Sequence, residues 1–143
     1  MRILVTGGGG FAGRHLLRAL AATGEGEIFA TVPTAGEEVK AAPGLEEVEW
    51  VPLDLCSDAS VDAAVRPVDP DQIYHLAGQA SVRDSFADPL QTWDVNATGT
   101  LRLLQPLLKY SAAGSKVRRL LLVSSAEVYG EVPPDIQPTS EHT

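Results

Sequence analysis

Four consecutive glycines stand directly behind a short apolar run at the start of the chain. Arg2-Ile-Leu-Val-Thr6 has the unbroken apolar pattern of a strand buried on both faces. Gly7 to Gly10 follow. Phe11 to Ala22 then carries apolar residues at helical spacing, and Thr23-Gly24 supplies a glycine stop. The stretch from Thr6 to Gly13 satisfies two frames, G-x-G-x-x-G from Gly8 and G-x-x-G-x-x-G from Gly7. In either frame an early glycine makes a tight turn, and Gly10 lets the backbone approach a pyrophosphate. Gly13 lets the helix pack close to the sheet. Glycine spacing alone is a weak signal. A strand before it and a helix after it are the context a dinucleotide-binding turn requires.

The rest of the chain continues the alternation. Glu27 to Val32 reads as a second strand closed by Pro33, and residues 34 to 46 as an irregular or partly helical connection. Val48 to Val51 is a brief third strand leading into Leu53-Asp-Leu55. Ser57 or Asp58 can cap a helix to about Val65, and Gln72 to Leu76 is a fourth strand. Asp88-Pro89 places a capping residue and an N1 proline ahead of a helix to about Ala112. Pro106 inside that span predicts a kink or interruption. Val117 to Val123 is a fifth strand, and the tail from Glu131 reads as a loop. Such alternation predicts an α/β, Rossmann-type doubly wound parallel sheet with right-handed crossovers. No linker or repeat divides the chain, so residues 1–143 read as one dinucleotide-binding domain.

Composition excludes several classes. A formal charge of −8 argues against a nucleic-acid surface, which needs a basic stripe. It does not argue against a nucleotide, because a pyrophosphate can be held by backbone N–H groups at a helix N-terminus. The longest apolar runs are far short of the ~20 residues that cross a bilayer. The N-terminus enters a strand without a signal-peptide pattern, so a cytoplasmic protein without a membrane partner is the expectation. Cys56 is the single cysteine, which leaves neither a disulfide framework nor a cysteine-based metal site. Where many dehydrogenases carry an acid for the ribose hydroxyls, this chain has Thr31-Val-Pro-Thr34. A neutral Thr34 accepts NAD or NADP.

Five segments occur in order: Thr6 to Gly13, Leu53-Asp-Leu55, His75-Leu-Ala-Gly78, Asp94-Val-Asn-Ala-Thr-Gly-Thr100 and Ser124-Ser-Ala-Glu-Val-Tyr-Gly130. Together they resemble the extended short-chain dehydrogenase/reductases, the nucleotide-sugar epimerases, dehydratases and 4-reductases, over nearly the whole chain. The resemblance implies that Gly7, Gly10, Phe11, Ala12, Gly13 and Thr34 hold an NAD or NADP cofactor. It places Asp54 at the adenine amino group with Leu55 beside it, and it makes Leu76, Ala77 and Gly78 a small-residue wall. Asn96 and Ser124 complete the cofactor set. Gly78 departs from the alanine more usual in the family. Ser125 matches the hydroxyl that meets the sugar's C4 oxygen, with Gln79 and Ser81 as further substrate residues. Glu127 stands where 4,6-dehydratases place an acid/base; otherwise it is a solvated loop acid.

The Gln79-Ala-Ser-Val82 and Ser-Ala-Glu-Val-Tyr-Gly segments look most like GDP-mannose 4,6-dehydratases and GDP-4-keto-6-deoxymannose reductases. dTDP- and UDP-sugar dehydratases or 4-epimerases stay open. The family's Tyr-x-x-x-Lys is missing: Tyr74, Tyr110 and Tyr129 are followed four positions on by Gly78, Gly114 and Pro133. The expectation is an N-terminal fragment, lacking a substrate domain, of an enzyme that is a homodimer or homotetramer. A non-catalytic NAD(P)-binding module is the alternative. An uncovered fifth strand predicts marginal stability or self-association.

Overall fold

The computed structural model describes residues 1–33, 43–112 and 117–140. Thr34 and most of the expected irregular connection lie outside the described residues. The five strands are β1 (Arg2–Thr6), β2 (Glu27–Val32), β3 (Glu49–Pro52), β4 (Gln72–His75) and β5 (Arg119–Leu122). All pairs are parallel, in the order β3-β2-β1-β4-β5. The sequence steps outward from β1 on one side through β2 and β3, then returns across β1 to β4 and β5. That reversal is a switch point, and open α/β sheets bind ligands in the crevice outside the strand ends there.

Period-2 alternation sorts the central strand between two cores. Ile3 and Val5 face a cluster with Leu17 of α1 (Phe11–Thr23), Ile28, Ala30, Leu45 and Val48. Leu4 faces the opposite cluster, with Phe29, Ile73, and Val61 and Val65 of α2 (Asp58–Val68). Leu103 and Leu107 complete that face. Burying such side chains contributes roughly 1.5–3 kcal/mol each. Helices thus cover both faces of the sheet, as the alternating pattern requires.

Helix ends follow their caps. Gly24 closes α1 in the left-handed conformation, φ 64°. Ser57 caps α2 by accepting from the Ser60 amide, and α2 runs to Val68, past Pro67 in its last turn. Asp88 caps α4 (Pro89–Trp93), accepting from the Gln91 amide at 2.9 Å, with Pro89 opening the helix. A separate short helix, α3 (Val82–Ala87), precedes it.

The long helix differs from expectation in where it is irregular. α4 passes into a π turn, Asp94–Thr98, in which the Gly99 amide bonds back to the Asp94 carbonyl, before α5 (Gly99–Ala112) resumes. Pro106 does not interrupt α5. The extra residue is accommodated earlier, where Arg102 draws the Asp94 carboxylate (3.0 Å) and the Leu55 carbonyl (3.2 Å) together. A side chain on Gly99 would press into Leu55. β5 is exposed along its length, from Arg119 to Leu122. Among the described residues no helix is long and apolar enough to cross a membrane.

Candidate functional site

Two clefts open along the carboxyl ends of the strands. The first, of about 540 Å³, is lined by Gly7, Gly10, Thr31 to Pro33, Leu53 to Cys56, Leu76 to Gln79, Gln91 and Val95. The second, of about 590 Å³, is lined by His75 to Val82, Asn96, Thr100 and Leu122 to Ser125, among others. They share the floor Leu76, Ala77, Gly78 and Gln79. Asp54 stands in one and Ser125 in the other, with the glycine turn beside the first.

The turn is built by close approach. Gly7 has φ +71°, and a Cβ there would lie 2.8 Å from the Ala77 amide nitrogen. A Cβ on Gly13 would sit 2.3 Å from the Gly7 carbonyl oxygen. These two positions, with Gly10, select the frame that begins at Gly7. The Thr31 hydroxyl accepts from the Gly7 amide at 3.2 Å and fixes the start of the turn to β2. Gly10 caps α1 with no side-chain bond to the first-turn amides. A helix start of that kind suits an anion. Phe11 is exposed, with its ring edge-on to His15 at 4.8 Å. Phe11, Ala12 and Gly13 form the first turn of α1, outside the described lining of both clefts.

Asp54 is exposed at the mouth of the first cleft, where its carboxylate accepts from the Cys56 amide at 2.9 Å. Gln91 Nε2 reaches the Cys56 sulfur at 3.6 Å. The Cys56 thiol and the Arg102 guanidinium hold the Asp94 carboxyl below the usual carboxylate range. Burial, with Asp94 beside it, pushes the thiol up. Sequence reading gave Cys56 and Gln91 no place in this site.

The second cleft is organised from below by a chain of hydrogen bonds that begins at β1. The Thr100 hydroxyl donates to the Asn96 carbonyl at 2.7 Å. Its oxygen lies 3.0 Å from His75 Nε2 and must therefore accept there, which places the imidazole proton on Nε2. His75 Nδ1 then accepts from the Thr6 hydroxyl at 2.7 Å, and the same hydroxyl oxygen accepts from the Ala77 amide at 3.2 Å. Thr6 and His75 are buried, and burial lowers the His75 pKa from its ordinary 6.5. The imidazole is thus held neutral.

Asn96 projects from the π turn onto Gln79. Its Oδ1 accepts from the Gln79 amide at 2.7 Å, and its Nδ2 donates to the Gln79 carbonyl at 2.9 Å. Gln79 Nε2 donates to the Ser81 carbonyl at 3.0 Å, and the Ser81 hydroxyl caps α3. A Cβ on Gly78 would lie 3.1 Å from Asn96 Oδ1, which gives a reason for glycine at this position.

Ser124 and Ser125 follow β5 and line the second cleft. The Ser125 hydroxyl oxygen accepts from the Glu127 amide at 3.2 Å, opening a short turn at Ala126–Tyr129. Glu127 is exposed and outside the described lining of both clefts. Gln79, Ser81, Asn96 and Ser125 are thus brought to one cleft, and Glu127 is not.

The profile of the NAD dependent epimerase/dehydratase family matches residues 3–143. The UDP-glucose 4-epimerase of Mycolicibacterium smegmatis is 36% identical over 144 residues, covering 99% of this chain and 44% of that protein. The GDP-6-deoxy-D-mannose reductase of Pseudomonas aeruginosa is 34% identical over 131 residues, covering 92% and 36%. A crystal structure of the Thermus thermophilus UDP-glucose 4-epimerase in complex with NAD superimposes with a TM-score of 0.82 at 34% identity. It covers 99% of this chain and 43% of that one. The chain therefore spans under half the length of these relatives. With that profile over nearly all its residues and this sheet order, the chain belongs to the NAD dependent epimerase/dehydratase family.

Proposed function

We propose that residues 1–143 are the cofactor-binding domain of an NAD(P)-dependent enzyme working at C4 of a nucleotide-diphosphate sugar, of the UDP-hexose 4-epimerase class. The observation that carries the reading is the continuity of the two clefts across Leu76 to Gln79. A dinucleotide laid along that floor has its adenosine at Asp54 and Leu55 and its pyrophosphate at the Gly7–Gly10 turn. Its second ribose and nicotinamide then lie toward Asn96, Ser124 and Ser125. The nicotinamide, when bound, accepts and returns a hydride. Ser125 uses its oxygen to accept the Glu127 amide, so its hydroxyl hydrogen is available to donate to a C4 oxygen. Gln79 and Ser81 border the same space.

The epimerase reading draws on the Mycolicibacterium and Thermus relatives, while the Pseudomonas reductase keeps a GDP-linked sugar as the competitor. A dehydratase would need Glu127 at the sugar, and its exposed place outside the clefts favours a reading without it. Proton transfer would fall to the family's Tyr-x-x-x-Lys, which these 143 residues do not include. Leu90, Trp93, Leu101 and Leu108 are exposed apolar residues along α4 and α5, which supports pairing of this helix with a second copy.

Calorimetric titration with NAD and NADP, beside Gly10→Val, tests the reading. The variant's Cβ meets only the Gly7 carbonyl oxygen, at 3.3 Å, so it should fold and still obstruct the turn. Micromolar binding lost in the variant is expected. A folded wild-type chain that binds neither cofactor contradicts the assignment.

A further inference from the structure

We propose that His75 is a positioning residue for the nicotinamide half of the cofactor, acting through Thr100 and Asn96 on Gln79; this rests on the cofactor reading above. Among the described residues the His75 side chain bonds neither to the glycine turn nor to Ser125. Its two ring nitrogens instead tie Thr6, at the end of β1, to Thr100, at the start of α5. Fixed by that bond as an acceptor, the Thr100 hydroxyl spends its own hydrogen on the Asn96 carbonyl inside the π turn. The turn is thereby held in the orientation that presents the Asn96 carboxamide edge-on to the Gln79 backbone.

The consequence is directional. His75, Asn96 and Thr100 line the second cleft and not the first, and Gln79 stands at their junction. Loosening the chain therefore shifts the floor beneath the second ribose and the nicotinamide, while Asp54, Leu55 and the glycine turn stay in place. A neutral imidazole is what the geometry requires. A proton on both nitrogens would leave the Thr6 hydroxyl with two donors to accept, Nδ1–H and the Ala77 amide, and no acceptor for its own hydrogen.

The test compares NAD, ADP-ribose and ADP as ligands of the wild-type chain, Thr100→Val and Thr100→Ser. ADP lacks the second ribose. Thr100→Val, which loses both hydrogen bonds of the hydroxyl, should weaken NAD and ADP-ribose by about tenfold and leave ADP unchanged. Thr100→Ser, which keeps the hydroxyl, should restore the loss. Equal weakening of all three ligands, or of none, overturns the proposal. Binding of no ligand by the wild-type chain instead overturns the cofactor reading on which it rests. Nitrogen-15 chemical shifts of the imidazole give a readout that needs neither ligand nor variant. A neutral Nε2–H tautomer near pH 7.5 is expected, and an Nδ1–H tautomer or an imidazolium overturns the relay.

Discussion

Asn96 and Gln79 face each other across the junction of the clefts and exchange two hydrogen bonds, 2.7 Å into Asn96 Oδ1 and 2.9 Å out of its Nδ2. The pairing imitates the way two strands exchange bonds, with a side chain in place of one backbone. Asn96→Asp keeps the first bond and turns the second into a contact between two acceptors. The expected outcome is about tenfold weaker NAD binding, together with faster hydrogen exchange at the Gln79 amide. Unchanged affinity would show that the Gln79 loop holds its place without the clamp.

Two glycines predict different kinds of damage. Gly13→Ala drives a methyl group into the Gly7 carbonyl oxygen at 2.3 Å, so the turn or α1 must move. A loss of about 1–3 kcal/mol in urea unfolding is expected, with cofactor binding impaired in whatever remains folded. Gly24, unlike Gly13, has positive φ, and nothing lies within 4 Å of its added Cβ. Gly24→Ala should cost about 1 kcal/mol through backbone conformation alone and leave cofactor affinity untouched.

Burial holds the folded His75 pKa below 6.5, whereas the unfolded chain titrates near that value. Between the two values the unfolded state carries the extra proton. Stability is therefore complete above about pH 6.5, falls as the pH drops below it, and levels off once the folded imidazole is charged too. Urea unfolding between about pH 8 and pH 5 should show this decline, at most about 1.4 kcal/mol per pH unit from this group. The slope should be shallower in His75→Gln. A wild-type chain that grows more stable on acidification through this window would contradict the neutral, buried imidazole.

Cys56 offers a reporter for the first cleft, because it lines the space and is the single cysteine. Burial and Asp94 raise its thiol pKa, so alkylation by iodoacetamide at neutral pH should be slower than for a free thiol. Asp94→Asn removes the neighbouring charge and should speed the reaction. Saturating NAD should slow it in the wild-type chain. Alkylation indifferent to NAD would place the adenosine elsewhere.

Much of this architecture was legible because it depends on neighbours in sequence. The glycine turn, the apolar run of β1, the Gly24 stop and the Asp88-Pro89 helix start each state their local geometry. The alternation of such units dictates a parallel sheet covered on both faces. The π turn was not legible, since it depends on Arg102 meeting Leu55, 47 positions away, as well as Asp94. For the same reason spacing alone gives Asn96 no special place; the family resemblance marks it, and the turn aims it at Gln79. Thr6 and His75 are 69 positions apart, and their bond exists only because β1 and β4 pair with Thr6 beside His75. Pro106 misled because a proline inside a helix forbids one backbone bond but does not by itself say where a helix yields.

The π turn also protects the phase of everything that follows it. Each residue along an α-helix advances the azimuth by about 100°, so one residue inserted without relief would rotate the remainder of the helix by that amount. The single widened turn between Asp94 and Thr98 takes up the surplus instead, so Thr100 still meets His75 while Leu103 and Leu107 still fill the core. The segment thus works as a leap day does: one extra position is added in a fixed place, and every later one keeps its date.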